Sequence, residues 1–143
     1  MRHYVDSSVL VAHVLTGAPW LAHLPSADTV TCSELMAVEV ARTIDRLTHE
    51  GRLAGDALDA ALRRASALLG MVELIPVEAA VLDAARQSFG APVKTLDAIH
   101  IASALTAQLR LGESLTFVTM DRQQARGAEA AGLGVLTLDG TQR

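Results

Sequence analysis

Short apolar runs that each end in a polar or turn-forming residue, and are each followed by a helical pattern, recur along the whole chain. That alternation leaves few folds open. Tyr4 to Asp6, Asp28 to Thr31, Val72 to Ile75, Thr116 to Thr119 and Val135 to Leu138 read as strands. Between them, helices are expected over Val9 to Leu15, from Thr31 to about Glu50, Asp56 to Leu69, Glu78 to Phe89, Leu96 to Leu111 and Asp121 to Ala131. Ser7 or Ser8 is placed to cap the first, and Thr95 the fifth. Thr31-Cys32-Ser33-Glu34 has the spacing of a capping box for the second, and Gly17, Gly51, Gly70, Gly90 and Gly112 stand where helices stop. Strands alternating with helices predict an α/β fold of three layers, α/β/α, around a short, mainly parallel sheet. Residues 1–143 read as a single domain, because no linker, repeat or low-complexity segment divides them. The one irregularity is a pair of consecutive helices over about 31–70, expected as a helical hairpin that stands out from the sheet and offers a partner surface.

Composition narrows the function classes. Half the residues are apolar and only 3% are aromatic, so Ala, Leu and Val do the packing and a base-stacking platform is disfavoured. The single cysteine, Cys32, has no intramolecular disulfide partner and reads as a structural side chain. The run Val9 to Leu15 imitates a signal peptide faintly, but Asp6 precedes it and His13 interrupts it. No stretch approaches the roughly eighteen uncharged apolar residues of a membrane span, so no membrane association and a cytoplasmic location are expected. The net charge of -4 is unpromising for a protein that meets a polyanion. Yet committing four acids to a site would leave as many carboxylates as cations, and all the cations except Lys94 are Arg, the better bidentate phosphate partner.

The acids carry the functional reading. Asp6 closes the first strand, and in open parallel sheets ligands gather outside the carboxyl ends of the strands. Asp121 follows the fourth strand in the same way. Asp97 lies in the first turn of a helix whose start is crowded by Leu96, Ala98, Ile99, Ile101 and Ala102, and a covered carboxylate needs a partner or a metal. Glu39 falls at the edge of the stripe Met36, Val40, Thr43, Ile44 and Leu47, with Arg42 and Arg46 along the same edge. Each acid has a second explanation when taken alone: helix capping for Asp6, a favourable first-turn charge for Asp97 and Asp121, a surface ion pair with Arg42 for Glu39. Glu34 is left outside the set because the capping box accounts for it. His100, three residues beyond Asp97, reads first as a satisfied, partly buried side chain.

Four carboxylates gathered in an apolar setting repel one another unless some are protonated or a divalent cation neutralises them. Oxygen-only donors, without paired Cys or a His pair at zinc spacing, favour Mg²⁺ or Mn²⁺. Such an ion polarises a phosphoryl oxygen and lowers the pKa of a bound water, which suits phosphodiester hydrolysis. Arg42, Arg46 and Lys94 are candidates for substrate phosphate contacts.

Tyr4-Val5-Asp6-Ser7-Ser8, Ser33-Glu34-Leu35 with Val38-Glu39-Val40 and Arg42, Leu96-Asp97-Ala98-Ile99-His100-Ile101-Ala102, Val118-Thr119-Met120-Asp121 and Gly132-Leu133-Gly134-Val135, in that order, resemble the PIN-domain family. The nearest likeness is to the small VapC-type toxins of bacterial toxin-antitoxin pairs. The resemblance implies a PIN-like fold and a Mg²⁺- or Mn²⁺-dependent ribonuclease whose catalytic, metal-binding acids are Asp6, Glu39, Asp97 and Asp121. It also implies that Ser7 and Thr119 support the metal site with hydroxyls, that RNA is the substrate, and that the partners are a cognate small antitoxin and a second copy in a homodimer. The motif around Asp121 is the least distinctive part of the match. A PIN-like module kept as a binding or regulatory surface without turnover is the main alternative. A receiver domain wants a pair of acids after its first strand, where only Asp6 stands, and an Asp-x-Asp phosphatase wants an acid where Ser8 stands.

Overall fold

The structure, a computed structural model, describes residues 1–139. Its five strands are β1 (Arg2–Val5), β2 (Thr29–Ser33), β3 (Glu73–Ile75), β4 (Thr116–Thr119) and β5 (Gly134–Thr137). All are parallel, in the order β3-β2-β1-β4-β5. The helices are α1 (Ser7–Thr16), α2 (Leu35–His49), α3 (Gly55–Leu69), α4 (Ala79–Ala85), α5 (Thr95–Leu111) and α6 (Arg122–Ala130), with a short 3-10 turn at Leu21–His23. No described helix is long and apolar enough to cross a membrane.

Strands in the middle of a parallel sheet are covered on both faces, so consecutive residues are buried rather than alternate ones. Tyr4 and Val5 on β1, and Phe117 and Val118 on β4, are all fully buried. Val5, Cys32 and Val118 meet α1, α2 and α3 in one core. Tyr4 and Phe117 stack at 5.3 Å between ring centroids and meet α5 and α6 in the other. These two cores are the outer interfaces of the three-layer α/β/α arrangement.

Several element boundaries differ from the sequence reading, each for a local reason. The capping box at Thr31 does not form, because β2 runs on through Cys32 and Ser33 to pair with Leu74 and Ile75. The helix starts at Leu35 instead, whose N–H donates to Ser33 Oγ. The helical pair therefore spans Leu35–Leu69 rather than 31–70. It lies on α1, through Val40, Ile44 and Leu47 of α2 and Ala61 and Leu68 of α3. Glu34, freed from capping, accepts the N–H of Val77 at 2.7 Å and ties the end of β2 to the β3–α4 loop. Helix α4 stops at Ala85, short of Phe89, which is buried against α5 and β4 from the following loop.

The strand order reverses between β1 and β4. Chain entering from β1 moves to one side through β2 and β3, and then returns to add β4 and β5 on the other. At that switch point the two carboxyl ends lead to helices on opposite faces, the place where ligands bind in open parallel sheets. Asp6 follows β1 there, and Asp121 follows β4.

Candidate active site

Asp6 is the first residue after β1 and the N-cap of α1, the position the sequence reading gave to Ser7 or Ser8. Its backbone N–H donates to Val118 O of β4, and its Oδ2 accepts the N–H of Ser8 at 3.0 Å. Only 6% of the residue is exposed. Beyond β4, Asp121 caps α6, its Oδ1 accepting from Gln123 N and Gln124 N at 2.8 and 3.1 Å. Both acids thus have a capping role, favoured at a helix N-terminus. Asp121 is exposed and turned to its own helix, whereas Asp6 is buried.

Asp97 is half-buried in the first turn of α5. Burial, then the charges of Asp6 and Asp121, push its carboxyl above the ordinary carboxylate range, against the opposing pull of His100 and Lys94. Asp97, at the start of α5, therefore senses the charges of the acids that follow β1 and β4. Lys94, the N-cap residue of α5, is the nearby cation.

Glu39 reaches the group from α2. Its Oε1 accepts from Ser7 Oγ at 2.9 Å and from His100 Nε2 at 2.8 Å. The alternative reading of Glu39 as the ion-pair partner of Arg42 is not realised: Arg42 turns to Asp45 at 2.9 Å, and Arg46 one turn further on pairs with Glu50. Both arginines remain on the Glu39 side of α2 by helical spacing.

His100 is the hub that sequence reading left as a satisfied core residue, and it is 1% exposed. The Tyr4 hydroxyl accepts the N–H of Ser33 at 3.2 Å and has its own proton to donate to His100 Nδ1 at 2.8 Å. The ring proton then sits on Nε2, facing Glu39, with Ser7 Oγ at 3.2 Å and Asp6 Oδ1 at 3.8 Å. Burial lowers the His100 pKa, but the hydrogen bond to Glu39 and the charges of Asp6, Glu39 and Asp97 outweigh it and hold it above the ordinary value.

Gln124 was missed in the sequence. It is 1% exposed, accepts from Thr119 Oγ1 at 2.6 Å and donates from Nε2 to Asp6 Oδ1 at 2.9 Å. The available signal was its place on the inward face of α6 with Ala125 and Ala128, where a polar side chain must find partners. Thr119 accepts the N–H of Asp121 at 3.0 Å while donating to Gln124, so its hydroxyl is one step removed from the acids. Cys32 is buried, and burial followed by the charge of Asp6 pushes its thiol up, consistent with an unreactive core residue.

The model of the PIN domain matches residues 3–130. The chain belongs to the PIN-domain family. PIN domains are typically nucleases and generally use divalent metals, which sets nucleic-acid hydrolysis as the chemistry to consider at these acids. No curated protein sequence matches this PIN domain. Among solved structures it is similar to VapBC2 from Rickettsia felis bound to a promoter DNA fragment, at 12% identity and a TM-score of 0.68, over 96% of this chain and 98% of that one. It is also similar to VapBC-5 from Mycobacterium tuberculosis, at 18% identity, TM-score 0.65 and coverage of 96% and 98%. FitAcB from Neisseria gonorrhoeae matches at 17% identity, TM-score 0.67 and coverage of 96% and 97%. At these identities the likeness is one of fold.

The donor set suits a hard divalent cation. The mouth of this PIN domain offers carboxylate oxygens, while its one imidazole already spends both ring nitrogens on Tyr4, Glu39 and Ser7. Asp6 has one hydrogen bond on each oxygen, which leaves further acceptor capacity on both. Among the described residues, no three His, Cys, Asp or Glu side chains converge closely enough to hold an ion as they stand. Binding therefore requires side-chain movement within this group.

Proposed function

We propose that this PIN domain is a Mg²⁺- or Mn²⁺-dependent endoribonuclease and the toxin of a toxin-antitoxin pair. Asp6, Glu39, Asp97 and Asp121 are its catalytic and metal-binding acids. The observation that carries the reading is the buried Asp6 at the switch point, with the Asp97 carboxyl pushed up first by its own burial and then by the charges of Asp6 and Asp121. Charge crowded in this way is relieved by a cation. When bound, a divalent ion supplies polarisation of a phosphoryl oxygen and a water acidified for attack.

The chain's own residues supply the rest. Asp6 and Asp97 are the inner ligands, and Glu39, steered by Ser7 and His100, completes the set from the opposite helix layer. Asp121 adds charge from the α6 corner, and Thr119 supports that corner through its hydroxyl. Arg42, Arg46 and Lys94 bind substrate phosphates, the two arginines exchanging their pairings with Asp45 and Glu50 for the RNA backbone. The similar structures include VapBC-5, described as a member of a toxin-antitoxin family, and this supports a cognate small antitoxin as partner. We read the chain as one domain, a homodimer and cytoplasmic.

The test is incubation of purified protein with a set of single-stranded and structured RNAs in Mg²⁺ or Mn²⁺, with and without EDTA. Cation-dependent internal cleavage that EDTA abolishes is the expected result. No cleavage of any RNA by folded protein in either cation would favour the non-catalytic module instead.

A further inference from the structure

We propose that Gln124 is a positioning residue for Asp6, fixing the carboxylate in the orientation in which it takes a divalent cation. The inference rests on the reading of Asp6 as a metal ligand.

The orientation of the Gln124 amide follows from its partners. Thr119 Oγ1 accepts the backbone N–H of Asp121, so its own proton is directed to Gln124 Oε1. The amide oxygen is thereby held on the Thr119 side, and Nε2 is presented to Asp6 Oδ1. A directional relay runs from the Asp121 backbone through Thr119 and Gln124 to Asp6, crossing the switch point from β4 to β1. Ser8 N holds the other oxygen of Asp6. With one donor on each oxygen, the plane of the carboxylate is set, while each oxygen keeps a lone pair for a ligand.

The chemistry of the side chain fits this role better than that of a generic buried amide. A Lys or Arg at the same place would fix Asp6 equally well but would neutralise it and repel an incoming cation. A neutral amide orients the carboxylate and leaves its full negative charge available. Outer partners of metal ligands act in this way, and their removal typically costs about 10- to 100-fold in metal affinity.

The test measures Mn²⁺ binding calorimetrically for wild type, Gln124→Met, Thr119→Val, Thr119→Ser and Asp6→Asn, with circular dichroism and thermal melts alongside. Gln124→Met keeps the length of the side chain and removes the donor, so its Mn²⁺ affinity falls by about 10- to 100-fold. Thr119→Val removes the donor that anchors the amide oxygen, so Gln124 holds Asp6 less firmly and affinity falls in the same direction, while Thr119→Ser keeps the hydroxyl and restores affinity to near wild type. Excess Mn²⁺ restores RNA cleavage in Gln124→Met but not in Asp6→Asn. A folded Gln124→Met that binds Mn²⁺ like wild type, with only its melting temperature lowered, overturns the proposal and leaves Gln124 a packing residue. Mn²⁺ binding by Asp6→Asn equal to wild type instead overturns the ligand reading of Asp6 beneath it.

Discussion

Helix α6 carries both Gln124 and the Asp121 cap, and Gly127 controls how closely that helix approaches α5. A Cβ added at Gly127 would stand 2.6 Å from Val93 Cγ2 and 3.2 Å from Ile101 Cδ1. The first contact is about 1 Å inside a normal carbon-carbon separation of roughly 3.5–4.0 Å, so it must be relieved by movement of Val93 or of the helix. Ile101 yields more easily, because the atom concerned is the end of a flexible chain. Overpacking of this kind costs about 1–3 kcal/mol. Against it, replacing a glycine inside a helix by alanine gains about 1 kcal/mol. Gly127→Ala is therefore expected to change stability by between about zero and a 2 kcal/mol loss, where an unhindered helical glycine would give a gain of about 1 kcal/mol. Val93→Ala deletes the obstructing methyl, so in that background Gly127→Ala should recover its propensity gain. Urea denaturation of the four proteins of this double-mutant cycle, treated as two-state for a chain of this size, measures the coupling. Additive effects, with Gly127→Ala stabilising the wild-type background by its full propensity gain, would refute the close approach of α6 to the Val93 loop.

Other substitutions probe the cluster itself. The Asp97 pKa is raised in the fold, so protonation is favoured there: the contribution of this group to stability is fully present in acid, below the unfolded carboxyl value, and is lost as pH rises through the folded value. In the absence of divalent cations, Asp97→Asn should thus melt higher than wild type at neutral pH, with the gap closing below about pH 4. A variant that melts lower at neutral pH would contradict the crowding of these acids. Tyr4→Phe removes the partner of both Ser33 N–H and His100 Nδ1 and should cost about 1–3 kcal/mol in the same urea titration. A loss under half of that would mean that neither group depends on the hydroxyl. Adding Mn²⁺ should raise the melting temperature of wild type in proportion to the logarithm of its concentration above the dissociation constant, and EDTA should reverse it. The absence of any shift would argue against a cation site.

The layered α/β fold was legible because strand and helix periods alternate along the chain, and glycines mark most helix ends. The acids at the carboxyl edges of β1 and β4 were legible for the same reason, since a parallel sheet puts those positions together. What could not be read was anything decided by partners distant in sequence. Thr31-Cys32-Ser33-Glu34 has the spacing of a capping box, but pairing with β3 keeps Cys32 and Ser33 in a strand. Glu39 and Arg42 are neighbours on a helix, yet the imidazole of His100, 61 residues away, takes the glutamate. Gln124 carries no motif, and its role depends on Asp6 lying 118 residues away.

Asp6→Asn separates the charge of Asp6 from its capping of α1. Asparagine caps helices about as well as aspartate, so the variant keeps the cap on Ser8 N and should fold, while its amide nitrogen faces Gln124 Nε2 and the lost hydrogen bond lowers the melting temperature. The measurement is the RNA cleavage rate of Asp6→Asn against wild type at saturating Mn²⁺, with folding checked by circular dichroism. The expected result is a loss of more than about 100-fold, since even outer partners of a metal ligand cost about 10- to 100-fold in affinity or activity. Cleavage by folded Asp6→Asn at a rate equal to wild type would contradict it.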